Sequence, residues 1–158
     1  MKFTSYLLLL FVFTISSCKK KEEKVSKEDA KAFAAQLEKE VDDYKINFIE
    51  KNVHLPVLLK KMNSYIPKKE LKGSEQGVRT ALAGNNYERA VYEMMGGNGQ
   101  FKCTRQYEKD GAQHVIFRVY GANGLNYLDM ELAKLKNKTG IADMFLHAII
   151  QLIQECAY

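Results

Sequence analysis

The sequence has no tryptophan, only two prolines, and three each of cysteine and histidine. These scarcities remove whole classes of reading. A metal centre needs converging ligands, but His54, His114 and His147 lie far apart, and neither Cys103 nor Cys156 belongs to a CxxC or HxxxH arrangement. No metal and no cofactor is expected. Nucleophilic catalysis needs a Ser or Cys beside a positioned His and an acid. Ser64 and Ser74 fall at predicted helix boundaries, where turns and caps account for them, and Cys103 and His114 fall on opposite faces of neighbouring predicted strands. The glycine-rich Gly96-Gly97-Asn98-Gly99 lacks the Lys and Ser/Thr of a phosphate loop and leads from a helix into a strand. A net charge of +5, spread along the chain, indicates neither nucleic-acid binding nor a membrane-surface patch. Lys60-Lys61 and Lys68-Lys69 are not interleaved with aromatics that could stack bases. No internal repeat is visible.

Long apolar runs are also missing. The longest covers residues 6–15, half of the roughly 20 residues a spanning helix requires. With Lys2 before it and Ser16-Ser17-Cys18 after it, the stretch reads as a cleaved export signal over residues 1–17. Ile15-Ser16-Ser17-Cys18 resembles the lipobox of bacterial lipoproteins, which implies acylation of Cys18 (palmitate among the chains) and attachment to the cell envelope. Two or three acyl chains, at about 0.8 kcal/mol per buried CH₂, make such attachment effectively permanent. Residues 18–25 then form a lipidated Cys and a charged tether, with Lys19 to Lys24 unable to bury anything. The Lys-Glu-Glu within it resembles the surface-export signal of Bacteroidetes lipoproteins, which implies the outer membrane, periplasmic or surface-exposed. Signal removal takes Lys2 from the 24 basic side chains, leaving 23 against 19 acidic and a net of +4. With Cys18 committed to lipid, Cys103 and Cys156 are left; export permits a disulfide between them, and two small buried hydrophobes are the other reading.

Residues 26–158 read as one domain. Ser26 is a natural N-cap with Asp29 three residues on. Ala30, Phe33, Ala34, Leu37, Val41, Tyr44 and Phe48 then recur at three- and four-residue spacing, predicting a helix to about Lys51. Leu55-Pro56 opens a second helix, with Val57, Leu58, Leu59 and Met62 on its buried side, and Ile66-Pro67 stops it. Ser74 is expected to cap a third, carrying Val78 and Leu82, with a break at Gly84-Asn85-Asn86 before Tyr87, Ala90, Val91 and Met94.

The strands follow. Asn123-Gly124 between two β-rich runs is the strongest hairpin signal in the chain. With those two residues as the loop, Val119 faces Leu128, Phe117 faces Met130 and Val115 faces Leu132 on an apolar side. The other side pairs Tyr120 with Tyr127, Arg118 with Asp129, and Ile116 with Glu131. A three-residue loop at Lys109-Asp110-Gly111 sets Cys103 against Phe117 and Phe101 against Val119, but leaves Arg105 beside Val115 among apolar partners. A similar loop at Lys138-Thr139-Gly140 puts Leu146 opposite Leu132, and Ile141 and Phe145 on the outer side. Ile149, Ile150, Ile153 and Cys156 suggest a short C-terminal helix. Helices followed by a four-stranded antiparallel meander make an α+β domain with helices on one sheet face.

That layout resembles the NTF2-like or cystatin-like α+β roll. Tyr107-Glu108-Lys109, residues 114–120, Gly124-Leu125-Asn126-Tyr127-Leu128-Asp129 and Ile141-Ala142-Asp143 are similar to a module of unassigned function in Bacteroidetes proteins. The resemblance covers roughly residues 27–146 and implies no catalytic motif. The outer side of the sheet, with Ile116, Arg118, Tyr120, Tyr127, Asp129 and Phe145, mixes aromatics with Arg in the manner of interface centres. The expectation is a non-catalytic binding or structural domain that contacts a protein partner or a second copy and reaches the membrane through its lipid. The alternative is a small-molecule-binding or enzymatic roll, in which Asp129 or Asp143 would act as general acid or base.

Overall fold

The computed structural model describes residues 23–67, 69–122 and 124–148. Ser26 opens the first helix with a full capping box: its Oγ accepts the Asp29 N–H at 3.0 Å, and the Asp29 carboxylate accepts the Ser26 N–H at 3.2 Å. Helix α1 (Lys27–Asp42) buries Ala30, Phe33, Ala34, Leu37 and Val41. Val25, assigned to the tether by the sequence, is already buried in the same core. The helix stops well short of Lys51. Tyr44 takes φ 55°, the chain leaves the helix with Tyr44 and Ile46 exposed, and a loop returns Phe48 and Ile49 to the core. The apolar spacing runs through the break because helix and loop face one core.

Two buried acids hold that loop. Glu88 accepts the backbone N–H groups of Ile49 (2.9 Å) and Glu50 (2.8 Å) on one carboxylate oxygen. Glu40 accepts from Lys51 (2.7 Å), Gln36 (2.9 Å) and Asn52 (2.9 Å). Burial pushes the Glu40 carboxyl up, but these bonds and the Lys51 charge outweigh it and hold the group below its ordinary value.

A single 3-10 turn (Glu50–Asn52) leads to α2 (Leu55–Tyr65), with Pro56 in its first turn. Helix α3 (Leu71–Ala83) starts before Ser74, whose hydroxyl donates to the Glu70 carbonyl inside the first turn and caps nothing. Asn85 at φ 51° makes the expected break before α4 (Asn86–Met95), and Gly96 at φ 57° ends it. The sheet follows in the order β1 (Gln100–Lys109), β2 (Ala112–Gly121), β3 (Gly124–Leu135), β4 (Lys138–Ala148), antiparallel throughout. Four helices and then a four-stranded meander give the α+β class read from the sequence. α1, α3 and α4 all contribute to a core against Phe101, Val115, Phe117, Val119, Leu128, Met130 and Leu132. Phe101 and Phe117 stack at 4.4 Å between ring centres. The predicted C-terminal helix lies outside the described residues.

Two hairpins are tighter than the sequence suggested, and the third is displaced along the chain. Asp110 and Gly111 (φ 51° and 78°) alone connect β1 to β2, and Lys136 and Asn137 (φ 52° and 63°) connect β3 to β4, so Lys138-Thr139-Gly140 is strand and not loop. Gly121 pairs with Gly124, which leaves Ala122-Asn123 as the connection between β2 and β3. The register is therefore two residues from the one predicted: Phe117 faces Leu128 and Val115 faces Met130. An even slip preserves the faces, so the apolar set is the predicted one although the partners differ.

Two irregularities correct the remaining assignments. A bulge between Cys103 and Arg105 keeps the expected Cys103–Phe117 and Phe101–Val119 pairs, then turns Arg105 onto the outer face opposite Ile116. That removes the conflict of Arg105 with Val115, which faces Gln106. In β4, a shift beside Glu131 and Leu132 places Ile141 opposite Leu132 on the buried side, and Leu146 opposite Leu128. Ile141 is thus core, while Phe145 stays outside. Val53 bridges to Ile141, and the His54 N–H bonds its carbonyl at 2.8 Å, so part of the β4 edge is covered. No described helix is long and apolar enough to cross a membrane.

Candidate functional site

The outer sheet face carries two cross-strand rows. One runs Tyr107–His114–Glu131–Asp143, the other Arg105–Ile116–Asp129–Phe145. Between them lies a compact polar network. Tyr107 donates its phenolic hydrogen to Asp129, whose other oxygen is 3.1 Å from His114 Nδ1. The Tyr107 ring stacks on the imidazole at 4.7 Å, and the Arg105 guanidinium lies 5.4 Å from the Tyr107 ring centre. His114 Nε2 faces Glu131 at 3.9 Å. Lys61 of α2, which packs beside β4, ion-pairs with Glu131 and lies 3.5 Å from Asp143. Tyr107, His114 and Lys61 had no assigned part in the sequence reading. The strand alternation alone could not align them, because the β1 bulge decides where Tyr107 points.

An Asp–His pair with a phenol has the composition of a proton-transfer site, but its placement argues for a clamp. His114 and Asp129 are both buried, and each is occupied by neighbours in the same network. A general base must reach a substrate proton through an open face, and the grooves of about 400, 390, 280 and 210 Å³ are lined by none of Tyr107, His114 and Asp129, although Asp143 borders the last of them. Among the described residues no three His, Cys, Asp or Glu side chains are grouped to hold a metal ion.

Burial, with the bond to Asp129 next, pushes the Tyr107 phenol up to about 12 from an ordinary 10.0. Burial and then the Glu88 charge move Tyr92 to about 12 as well. A raised folded-state pKa gives stability that is complete below pH 10 and is lost as pH climbs toward 12. Stability is therefore expected to fall over that interval, with two phenols ionising late in a near-ultraviolet absorbance titration. Tyr107→Phe should remove one of them; an unchanged late phase in that variant would contradict the assignment.

The structure places all six predicted face residues on the outer side. Tyr120 and Phe145 are 54% and 49% exposed, Ile116, Arg118 and Tyr127 are half-buried, and Asp129 is buried. The predicted Arg118–Asp129 pair does not form. The two-residue register difference sets Arg118 opposite Tyr127 and Asp129 opposite Ile116, and Asp129 is taken by Tyr107 and His114. Arg118 Nε is buried without a hydrogen-bond partner among the described residues. Cys103 lies half-buried on the inner face, its thiol 3.7 Å from the Arg105 carbonyl, and burial pushes its pKa up. Cys18, Cys156 and therefore their lipid and disulfide assignments lie outside the described residues. The chain was found to match no family model, no curated protein and no solved structure.

Proposed function

We propose that this chain is a lipid-anchored protein of the bacterial envelope, most simply the outer membrane, whose domain binds a protein partner and catalyses no reaction. The lipobox-like Ile15-Ser16-Ser17-Cys18 supports the anchor. Helices preceding a meander support kinship with NTF2-like or cystatin-like rolls. The observation that carries the binding role is the exposed pair Tyr120 and Phe145 beside an Arg118 with no ionic partner among the described residues. Aromatic side chains around an arginine whose Nε lacks a hydrogen-bond partner among the described residues suit a partner surface that offers a carboxylate amid apolar groups. The buried Tyr107–His114–Asp129 network weighs against the enzymatic alternative and acts to stiffen the strands beneath this face.

Two measurements test the parts separately. Cys18→Ala should leave the protein without labelled fatty acid and move it from membranes to the soluble fraction; continued acylation and sedimentation would refute the anchor. For the face, a photo-crosslinking residue at position 120 should give a discrete heteromeric adduct in cells, lost with Arg118→Glu. The same probe at position 79 on α3 should give none. Tyr120→Ser with Tyr127→Ser should weaken the same association and keep cooperative melting, since both side chains stand on the outer face and the inner core is left intact. Adducts of equal yield at both positions, or loss of cooperative melting in the double variant, would overturn the assignment. A homodimeric adduct would instead identify self-association.

A further inference from the structure

Helix α4 and the loop after α1 border a groove of about 390 Å³, lined by Ile46, Asn85, Glu88, Arg89, Tyr92 and Glu93 and by no strand residue. Asn85, Glu88 and Tyr92 follow one another at three- and four-residue spacing, so they form one row along the helix. Two members of that row carry buried acceptors without a donor. One oxygen of Glu88 holds the Ile49 and Glu50 N–H groups, but Oε2 has no hydrogen-bond partner among the described residues, and neither has Asn85 Oδ1. The Glu88 side chain is 1% exposed. A buried acceptor is costly to leave unpaired. Of the four side-chain atoms in this condition among the described residues, two belong to this one groove.

The charges there favour a cation. Glu88 and Glu93 stand against one basic side chain, Arg89, and the Glu88 charge already opposes ionisation of the Tyr92 phenol. An anion would meet two carboxylates. Tyr92 also brings an aromatic ring, fixed by the bond from its hydroxyl to the Lys45 carbonyl at 3.0 Å and by stacking on Tyr44 at 5.8 Å. Such rings attract ammonium and guanidinium groups. A metal ion fits less well: no three His, Cys, Asp or Glu side chains are grouped to hold one among the described residues. The volume falls instead at the lower end of small-molecule pockets, about 300–1,000 Å³. Ile46, 68% exposed at the rim, offers apolar contact to a hydrocarbon stem. Ile46, Arg89 and Glu93 are all exposed, and exposed side chains change rotamer within nanoseconds, so the rim admits a ligand without backbone movement.

We propose that this groove binds a small organic cation, a primary ammonium or guanidinium on a short aliphatic stem, whose N–H groups donate to Glu88 Oε2 and Asn85 Oδ1. An ammonium has three donors and a guanidinium five, so either serves both oxygens at once. The stem lies against Tyr92 and Ile46. The site is separate from the outer sheet face and stands whether or not that face binds a partner.

The test adds butylammonium or butylguanidinium to the chain from residue 18 onward with Cys18→Ser. The Ile46 methyl and Tyr92 ring signals should shift saturably, while the Ile116 methyl on the outer face should not move. Tetramethylammonium has the charge without N–H donors, and butanol has a donor without the charge; neither should saturate these shifts, nor should butyrate or potassium chloride. Glu88→Gln keeps an acceptor for the loop and should weaken binding about tenfold, the difference between a charged and a neutral acceptor. Glu93→Gln should weaken binding and Arg89→Gln should tighten it, opposite signs that a general loss of structure would not give. No saturating shift with either cation, equal affinity for tetramethylammonium or butanol, the same shifts with potassium chloride alone, or full affinity in Glu88→Gln would each overturn the proposal. So would changes of the same sign in the Glu93 and Arg89 variants.

Discussion

Replacing Glu88 with alanine should cost about 3 kcal/mol, read as a lower urea midpoint with the slope retained. The side chain is 1% exposed, and one of its oxygens accepts two backbone N–H groups where the chain re-enters the core at Ile49 and Glu50. Alanine strands both donors, and each unsatisfied buried polar group costs roughly 1–3 kcal/mol. The opposing term is relief of a buried carboxylate whose second oxygen has no hydrogen-bond partner among the described residues. Glu88→Gln separates the two effects. It keeps an acceptor for the backbone but loses charge assistance, which makes such bonds about twice as strong, so its loss should be nearer 1 kcal/mol. If alanine were as stable as the parent protein, the loop would be held by Phe48 and Ile49 packing alone.

Glu88 also shows what was legible in the sequence. It lies three residues before Val91 and seven before Met95, both buried, so it sits on the apolar stripe of α4. Glu40, three residues after Leu37 and one before Val41, has the same placement on α1. An acid on a core stripe signals a buried acceptor, although the partners from the returning loop, more than ten residues away in the chain, could not be named. Periodicity identified the helices, though not where the first one ends, and the inner face of the sheet except at Ile141, because burial alone fixes those. It could not fix partners, which depend on turn geometry. Asn123-Gly124 carried the expected loop chemistry, yet the pairing closes at Gly121 and Gly124, and that difference dissolved the Arg118–Asp129 pair while keeping both residues on their face.

The bulge in β1 marks the other boundary of what periodicity can give. Arg105 among apolar partners was a contradiction within the sequence pattern, and an extra residue in the strand is its physical resolution. The Cys103 N–H, just before the bulge, donates to Glu38 of α1 at 2.6 Å, and the same carboxylate meets Lys102 at 3.2 Å. A helix side chain therefore satisfies an edge donor of β1 at the place where the pairing register changes. The same bulge brings Tyr107 onto Asp129. The polar network was invisible in the sequence because its phenol came from a strand whose alternation reverses midway.

Gly121→Ala is expected to destabilise the domain by about 3 kcal/mol, at the upper end of the usual cost of overpacking. A methyl at this position would meet the Met95 carbonyl oxygen at 2.0 Å and the Met94 carbonyl oxygen at 2.5 Å. Both are backbone atoms at the end of α4, so no side-chain rotation gives relief, and either the helix end or the β2–β3 connection must move. Gly97→Ala supplies the comparison. That glycine is exposed, has no atom within 4 Å of a new methyl and does not need a positive φ, so its change should stay within about 0.5 kcal/mol. Equal urea midpoints for the two variants would mean that α4 does not rest on the hairpin this closely. Because Tyr120 immediately precedes Gly121, the displacement should also disturb the outer face. Gly121→Ala should thus lower the crosslinking yield at position 120 under conditions where the domain remains folded, whereas Gly97→Ala should leave it unchanged.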